Sequence, residues 1–326
     1  MATVTLARRA MATRFEIVLH GGNAVSLRAA GEAALDEIQR LEAKLSLYRG
    51  DSEIARLNAR AAREPVRVTP EVFALLQRAK ELSAETNEMF DITVAPLVRC
   101  WGFMGGEGKV PDATALAEAR TNVGMNLVRL NEPDYTVEFD APGVMLDLGA
   151  IGKGYAIDQA AEVLREAGVT SALIHGGTST AYAIGAPPDA YDWKIAIEQP
   201  RIGSPAGAVS AESPARRLLA TVPLKDESLS VSAVWGKSFE SEGKSFGHVL
   251  DPRTGQPVAN ALLAAVSLPS ATETDAFSTA LLICGRDGHE QIRALRPGMR
   301  TLLVTPAGRG FKAEATGIEV ESFRTV

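Results

Sequence analysis

The sequence predicts an α+β fold with mixed or antiparallel sheets flanked by helices, and three observations carry that expectation. Strand-like and helix-like stretches come in mixed runs and not in a strict βαβ alternation, which disfavours a doubly wound parallel sheet. No internal repeat of about 20–50 residues is visible. No clean linker divides the 326 residues, so 1–326 is read as one composite domain. A surface loop is expected over 200–216, where Pro, Gly, Ser and Ala dominate.

The elements follow in order. TRFEIVLH over 13–20 alternates apolar and polar residues and reads as a strand. Residues 26–46 are rich in helix formers, with Ala30, Ala34, Ile38, Leu41 and Leu45 at helical spacing and Ser26 as the expected cap. Gly50-Asp51 marks a turn, and Ser52 with Glu53 opens a short helix. Over 69–86, Thr69 is the expected cap, Pro70 sits at the first helical position and Glu71 faces the positive end. After the aromatic-rich stretch 87–103 and a Gly-rich loop come a short helix near 112–120 and strands near 126–130, 135–140 and 144–147. A helix over 153–168 ends at Gly168. Strands are expected at 171–175, 181–185, 193–198, 217–222, 228–234 and 245–250. Helices at 272–284 and 286–295 and strands at 300–304 and 317–320 complete the reading.

A formal net charge of −6 argues against a general nucleic-acid surface. The two cysteines, Cys100 and Cys284, sit in apolar surroundings and are expected to be buried free thiols. Arg8 and Arg9 are followed by no long apolar run, so the start does not read as a secretory signal. No stretch approaches the roughly 18 apolar residues of a membrane helix. A soluble, cytoplasmic chain is the expectation.

Five stretches hold residues capable of chemistry. In LDLGAIGKGYAID (146–158) an apolar run reaches Asp147, then a Gly-rich turn, then a helix carrying Lys153. That pattern is either a phosphate cradle of backbone N–H groups or a structural strand–turn–helix. In SFGHVLDPRTGQPV (245–258), His248 ends a strand and Asp251–Gly255 forms a turn. His248 is either a capping histidine or a general base. In ATETDAFSTALL (271–282), Asp275 and Thr279 are four apart on a helix and point the same way, as two hard oxygen ligands for magnesium or as a polar face. In 87–103, Asp91, Thr93, Phe90, Trp101 and Phe103 either shape a pocket for a flat ring or are plain core, read here as strand. In ALIHGGTSTAYAIG (172–185), Gly176 and Gly177 permit close backbone approach, and His175 reads as structural.

The order of these blocks resembles the ApbE family. The family's Met-Gly-Thr stands here as Met11-Ala12-Thr13, and Tyr48, Ser52 and Asn58 match its next segment. Phe-Asp-Ile-Thr-Val-x-Pro-Leu-Val and Trp-Gly-Phe match 90–98 and 101–103. The Asp-Leu-Gly block matches 147–156, Gly-Gly matches 176–177, His-x-x-Asp-Pro-x-Thr-Gly-x-Pro matches 248–257, and Asp-Ala-x-x-Thr-Ala matches 275–280. Three places depart from the pattern: Ala12 stands for the Gly, a small change, Thr178 replaces an acidic residue, and SVSAVWGKSF (230–239) replaces a Thr-Ser-Gly-Asp-Tyr-like segment.

The resemblance implies the ApbE-like fold, an α+β arrangement with two related halves. It implies an FAD:protein FMN transferase that moves FMN from FAD to a Ser or Thr hydroxyl of an acceptor flavoprotein and releases AMP. FAD would contact Met11, Tyr48, Met89, Phe90, Asp91, Asp147, Lys153 and the backbone near Val249. Magnesium (Mg2+) would be held by Asp275, Thr279 and the Ala150 carbonyl, and His248 matches the catalytic histidine. The alternatives are an FAD pyrophosphatase giving FMN and AMP, and a non-catalytic FAD-binding homologue.

Overall fold

The structure, a computed structural model, describes residues 1–200, 218–308 and 310–321. The expected loop 200–216 lies outside them except for Pro200. The chain opens with β1 (Ala2–Ala10), β2 (Thr13–Gly21), α1 (Ala24–Leu45) and α2 (Glu53–Arg60). Next come β3 (Val66–Arg67), α3 (Pro70–Glu85), α4 (Ala95–Cys100), α5 (Ala113–Arg120), β4 (Val128–Asn131) and β5 (Thr136–Phe139). The middle of the chain gives α6 (Gly152–Glu166), β6 (Ala172–Gly176), β7 (Thr180–Ile184), β8 (Trp193–Glu198), β9 (Leu218–Leu224) and β10 (Ser228–Ala233). It closes with β11 (Ser238–Ser241), β12 (Lys244–Gly247), β13 (Leu263–Leu268), α7 (Ala271–Cys284), α8 (His289–Arg293), β14 (Arg300–Ala307) and β15 (Gly310–Thr316).

These elements form two compact units. Unit one combines Met1–Gln39, Lys153–Ala233 and Asn260–Val326; unit two combines Arg40–Gly152 and Val234–Ala259. The sequence shows no linker because the chain passes between the units repeatedly, within helices α1 and α6 and at the ends of short loops.

Unit one is built on an eight-stranded sheet in the order β1-β2-β6-β7-β10-β13-β14-β15. Every neighbour in it is antiparallel. Helix α7 lies on β10 and β13. The β8–β9 hairpin contributes Ile197, Leu219, Val222 and Leu224 to a buried cluster with Leu229, Leu263, Leu302 and Val304. At the other end α1 approaches closely because it carries Gly31. A Cβ there would stand 2.5 Å from a Leu6 methyl and 2.8 Å from one of Leu19.

Unit two holds the small sheet β3-β5-β4 and the β11–β12 hairpin. Its aromatic cluster packs Trp101, Phe103, Leu97 and Leu250 against Phe239 and Phe246. The Trp101 indole N–H donates to the Gly255 carbonyl at 2.8 Å and ties α4 to the Asp251–Gly255 turn.

The structure corrects several expectations. Residues 90–103 are not strand: they form turns and α4, and Phe90, Trp101 and Phe103 are buried core. Residues 144–147 belong to no sheet, and the Leu146 N–H and C=O are both taken by the Asn58 side chain, at 2.7 and 3.0 Å. Helix α1 starts earlier than predicted, with Asn23 in place of Ser26 accepting the Val25 N–H at 2.9 Å. Thr69 does not cap α3 with its side chain. Its N–H and hydroxyl both go to the buried Glu53 carboxylate, at 2.7 and 3.0 Å. Strand β12 ends at Gly247, short of the expected 250, and α8 is shorter than 286–295. Residues 317–320 form only an isolated bridge at Val320, and the last strand is β15. Strands β1, β3, β11, β13 and β15 lie outside the expected strands. β13 is buried along its whole length and so shows no alternation.

Candidate functional site

In unit one the site begins with how α7 is held. Ser228, Ser230 and Ser232 alternate along β10, which puts all three hydroxyls on one face. The Oγ atoms of Ser228 and Ser230 each lie 3.0 Å from Thr274 Oγ1. Ser232 Oγ lies 2.8 Å from Ser278 Oγ and 3.3 Å from Thr279 Oγ1. This hydroxyl ladder fixes α7 on the sheet in both height and rotation. The sequence reading did not use it, although Ser-x-Ser-x-Ser at period two is a legible signal.

Asp275 projects from α7 toward the start of α6 and is only 4% exposed. Its Oδ2 accepts the Gly154 N–H at 3.1 Å and stands 3.6 Å from Lys153 Nζ. Thr279 follows one turn later on the same face. Among the described residues no cluster of three or more His, Cys, Asp or Glu side chains could hold a metal. The donor set at α7 is therefore one carboxylate and one hydroxyl, both hard oxygens. That suits magnesium, which binds through one or two carboxylates and completes its shell with water and substrate phosphate.

The glycines of the 146–158 block now divide by task. Gly154 is a packing residue: a Cβ there would lie 2.1 Å from the Ala271 carbonyl oxygen. The N–H groups of Gly149, Ile151, Gly152 and Gly154 all have partners inside the protein. Of the two readings left open for this block, the structural turn accounts for these amides. The Lys153 ammonium is the positive side-chain charge this block carries.

Also in unit one, Met11 and Ala12 form the two-residue turn between β1 and β2, with φ of 48° and 57°. Both residues of such a turn need positive φ, which favours Gly or Asn. Gly176 and Gly177 sit against β2. Cβ atoms on them would come within 2.8 Å of Phe15 and 2.3 Å of Thr13 Oγ1. Thr13 and Gly177, from two separately matched motifs, are thus spatial partners. Thr178 is exposed at the tip of the β6–β7 turn. His175 pairs with Glu16, Nε2 to Oε1 at 3.7 Å.

In unit two, Tyr48 is 66% exposed. Its phenol pKa is raised, first by partial burial and then by the negative charge of Asp147. Asp147 leaves the Asn58-clamped segment, donates its own N–H to the Ile92 carbonyl at 2.7 Å, and accepts the Gly149 N–H on Oδ1 at 2.8 Å. That side-chain-to-backbone bond shapes the turn that presents Ala150.

The Met89–Asp91 stretch follows two left-handed residues, Asn87 (φ 50°) and Glu88 (φ 62°), and its three side chains are buried. Asp91 Oδ1 accepts the Thr93 N–H and hydroxyl at 2.7 and 2.6 Å, and Oδ2 accepts the Met125 N–H at 3.1 Å. Burial raises the Asp91 carboxyl pKa against the opposing pull of these bonds.

His248 follows β12, its Nδ1 3.1 Å from the Lys237 carbonyl oxygen. A carbonyl can only accept, so the neutral ring carries its proton on Nδ1 and its lone pair on Nε2. Val249 next to it accepts the Val258 N–H at 2.9 Å, and Gly255 closes the following turn at φ 73°.

Proteins similar to this chain include ones named as flavin transferases. The ApbE family profile matches residues 11–303. An FAD:protein FMN transferase of Klebsiella pneumoniae is 30% identical over 294 residues, covering 89% of this chain and 79% of that protein. One from Haemophilus influenzae is 29% identical, covering 96% and 89%. Among solved structures, the ApbE protein of Thermotoga maritima superposes with a TM-score of 0.85 at 25% identity, covering 97% of each chain. The apo flavinyl transferase ApbE of Pseudomonas stutzeri gives 0.81 at 28% identity, covering 97% of this chain and 95% of that one. Taken with the α7 carboxylate, the glycine-dependent hairpins and the histidine of the turn motif, these matches place the chain in the ApbE family.

Proposed function

We propose that this chain transfers the FMN half of FAD to a Ser or Thr hydroxyl of an acceptor flavoprotein, releasing AMP, with magnesium held by Asp275 and Thr279. The observation that carries the reading is Asp275: a nearly buried carboxylate beside Lys153, with a second hard oxygen one turn away. Lys153 and the Gly154 N–H already offset the cost of burying this carboxylate, and the metal reading rests on two hard oxygens sharing one helix face. Its relatives named FAD:protein FMN transferase supply the substrate class.

When bound, the magnesium ion neutralises diphosphate charge as it shifts toward the leaving group. Lys153 adds a second positive charge for the diphosphate. His248 Nε2 takes the proton of the acceptor hydroxyl, and the Lys237 carbonyl holds the ring in the tautomer that can do so. The hydroxyl oxygen then bonds the FMN phosphorus while the bond to the bridging oxygen breaks and AMP departs. Tyr48 offers an exposed ring face to the flavin nucleotide, with Met11, Asp147 and Val249 as further contacts. Because the side chains of Met89, Phe90 and Asp91 are buried, this segment meets FAD through its backbone. The Ala150 carbonyl is a further candidate magnesium ligand.

The test mixes the protein with FAD, magnesium and an acceptor flavoprotein domain. Flavin fluorescence that stays with the acceptor on a denaturing gel is the expected result. AMP release without labelling would instead assign FAD hydrolysis, and bound flavin with neither product would assign binding alone. His248→Asn should lower the transfer rate about 10²–10⁴-fold.

A further inference from the structure

Helices α6 and α7 each satisfy the other's start. Asp158 of α6 accepts the N–H groups of Ala271 and Thr272 at 2.8 and 2.9 Å, the Thr272 hydroxyl at 2.6 Å and the Ser270 hydroxyl at 3.0 Å. The first N–H groups of a helix have no partner within it, so these bonds supply what α7 lacks. In return Asp275 of α7 accepts the Gly154 N–H from the first turn of α6. Gly154 and Asp158 are four apart on one helix, Ala271 and Asp275 four apart on the other, so one face of each meets one face of its partner. With Gly154 lacking a side chain, the two backbones touch at Ala271.

We propose that Asp158 is a positioning residue for the magnesium ligands Asp275 and Thr279, acting by fixing the start of α7; this rests on the metal reading given above. Burying a carboxylate is costly, and an apolar pair of similar shape often gives equal or greater stability. What a charged cap adds is geometry. It accepts four hydrogen bonds from three consecutive residues, so it fixes both the position and the rotation of α7's first turn. Asp275 stands one turn further and Thr279 two. Magnesium requires near-octahedral oxygens at about 2.0–2.1 Å, so rotation of α7 by a fraction of a turn removes a ligand. The sequence reading missed Asp158 because its partners lie more than a hundred residues away.

The experiment measures metal affinity and not turnover. Mn2+, which takes the same oxygen ligands, is titrated into the full chain and the free ion is counted by its paramagnetic resonance signal. Asp158→Asn, whose amide nitrogen cannot accept an N–H, should weaken Mn2+ binding about 10–100-fold. Thr272→Val removes one bond of the four and should weaken it several-fold. Thr301→Val removes a buried hydroxyl that bonds His289 at 2.8 Å in the same unit. It should cost stability and leave the affinity unchanged. Wild-type affinity in both Asp158→Asn and Thr272→Val, with binding lost in Asp275→Ala, overturns the positioning role alone. Undiminished binding in Asp275→Ala overturns the metal reading beneath it. If Asp158→Asn does not fold, Thr272→Val decides.

Discussion

At Ala12 the backbone sits at φ 57°, a region that costs an L-residue about 1–2 kcal/mol. The family's Gly at this position has no such cost. Part of the difference is offset by glycine's freedom in the unfolded chain. Ala12→Gly should therefore raise stability to urea by about 0.5–1 kcal/mol. What looked in the sequence like a small change is a conformational one. His289 gives a pH prediction. Burial lowers its pKa below the ordinary value of 6.5, so the folded state favours the neutral ring. That contribution is complete above pH 6.5 and is lost as the pH falls through the lowered value. The melting temperature of the wild type should drop more between pH 7 and pH 5 than that of His289→Gln. At this scale the sequence was most informative where spacing alone sets direction: Asp275 and Thr279, four apart, do share a face. It was least informative for Asp91, whose partner Met125 lies 34 residues along the chain.

Among the elements, the α6–α7 contact is the least tolerant of change. Gly154→Ala places a methyl group against the Ala271 carbonyl, and the helices must separate. A loss of about 3 kcal/mol in urea unfolding is expected, with weaker metal binding as a consequence. Both backbone groups of Leu146 depend on one side chain. Asn58→Ala leaves a buried N–H and C=O without their partner and should cost about 1–3 kcal/mol. Amide exchange at Leu146 should rise with it. Helices with an apolar stripe, such as α1 and α3, were legible to within a few residues, though their side-chain caps were not. Segments whose backbone is satisfied by side chains, like 144–147, were not, because only the fold shows where those bonds go. Strand β13 escaped for a different reason: with both faces covered, it lacks the period that marks a half-exposed strand.

For the molecule as a whole, the long sheet of unit one has two edges among the described residues, β1 and β15. Both carry charges: Arg8 and Arg9 on the first, Lys312 and Glu314 on the second. Glu314 is held down to a pKa of about 2, chiefly by its hydrogen bond to Arg286 and then by Lys312, so it stays ionised through mildly acidic conditions. Charged edges discourage pairing with other chains. Replacing Lys312 and Glu314 together by Val should bring light scattering on at a lower temperature during heating. The fold class was legible from the mixed order of elements, whereas the partition into units was not, since each is assembled from separated stretches. Sheet order has its own consequence for synthesis. Strand β2 pairs with β6, Phe15 opposite Gly176, and the whole first stretch of unit two is translated between them. On the ribosome the β1–β2 hairpin waits with the β2 edge unpaired until β6 emerges. The nascent chain in that interval is the state most in need of protection from its neighbours.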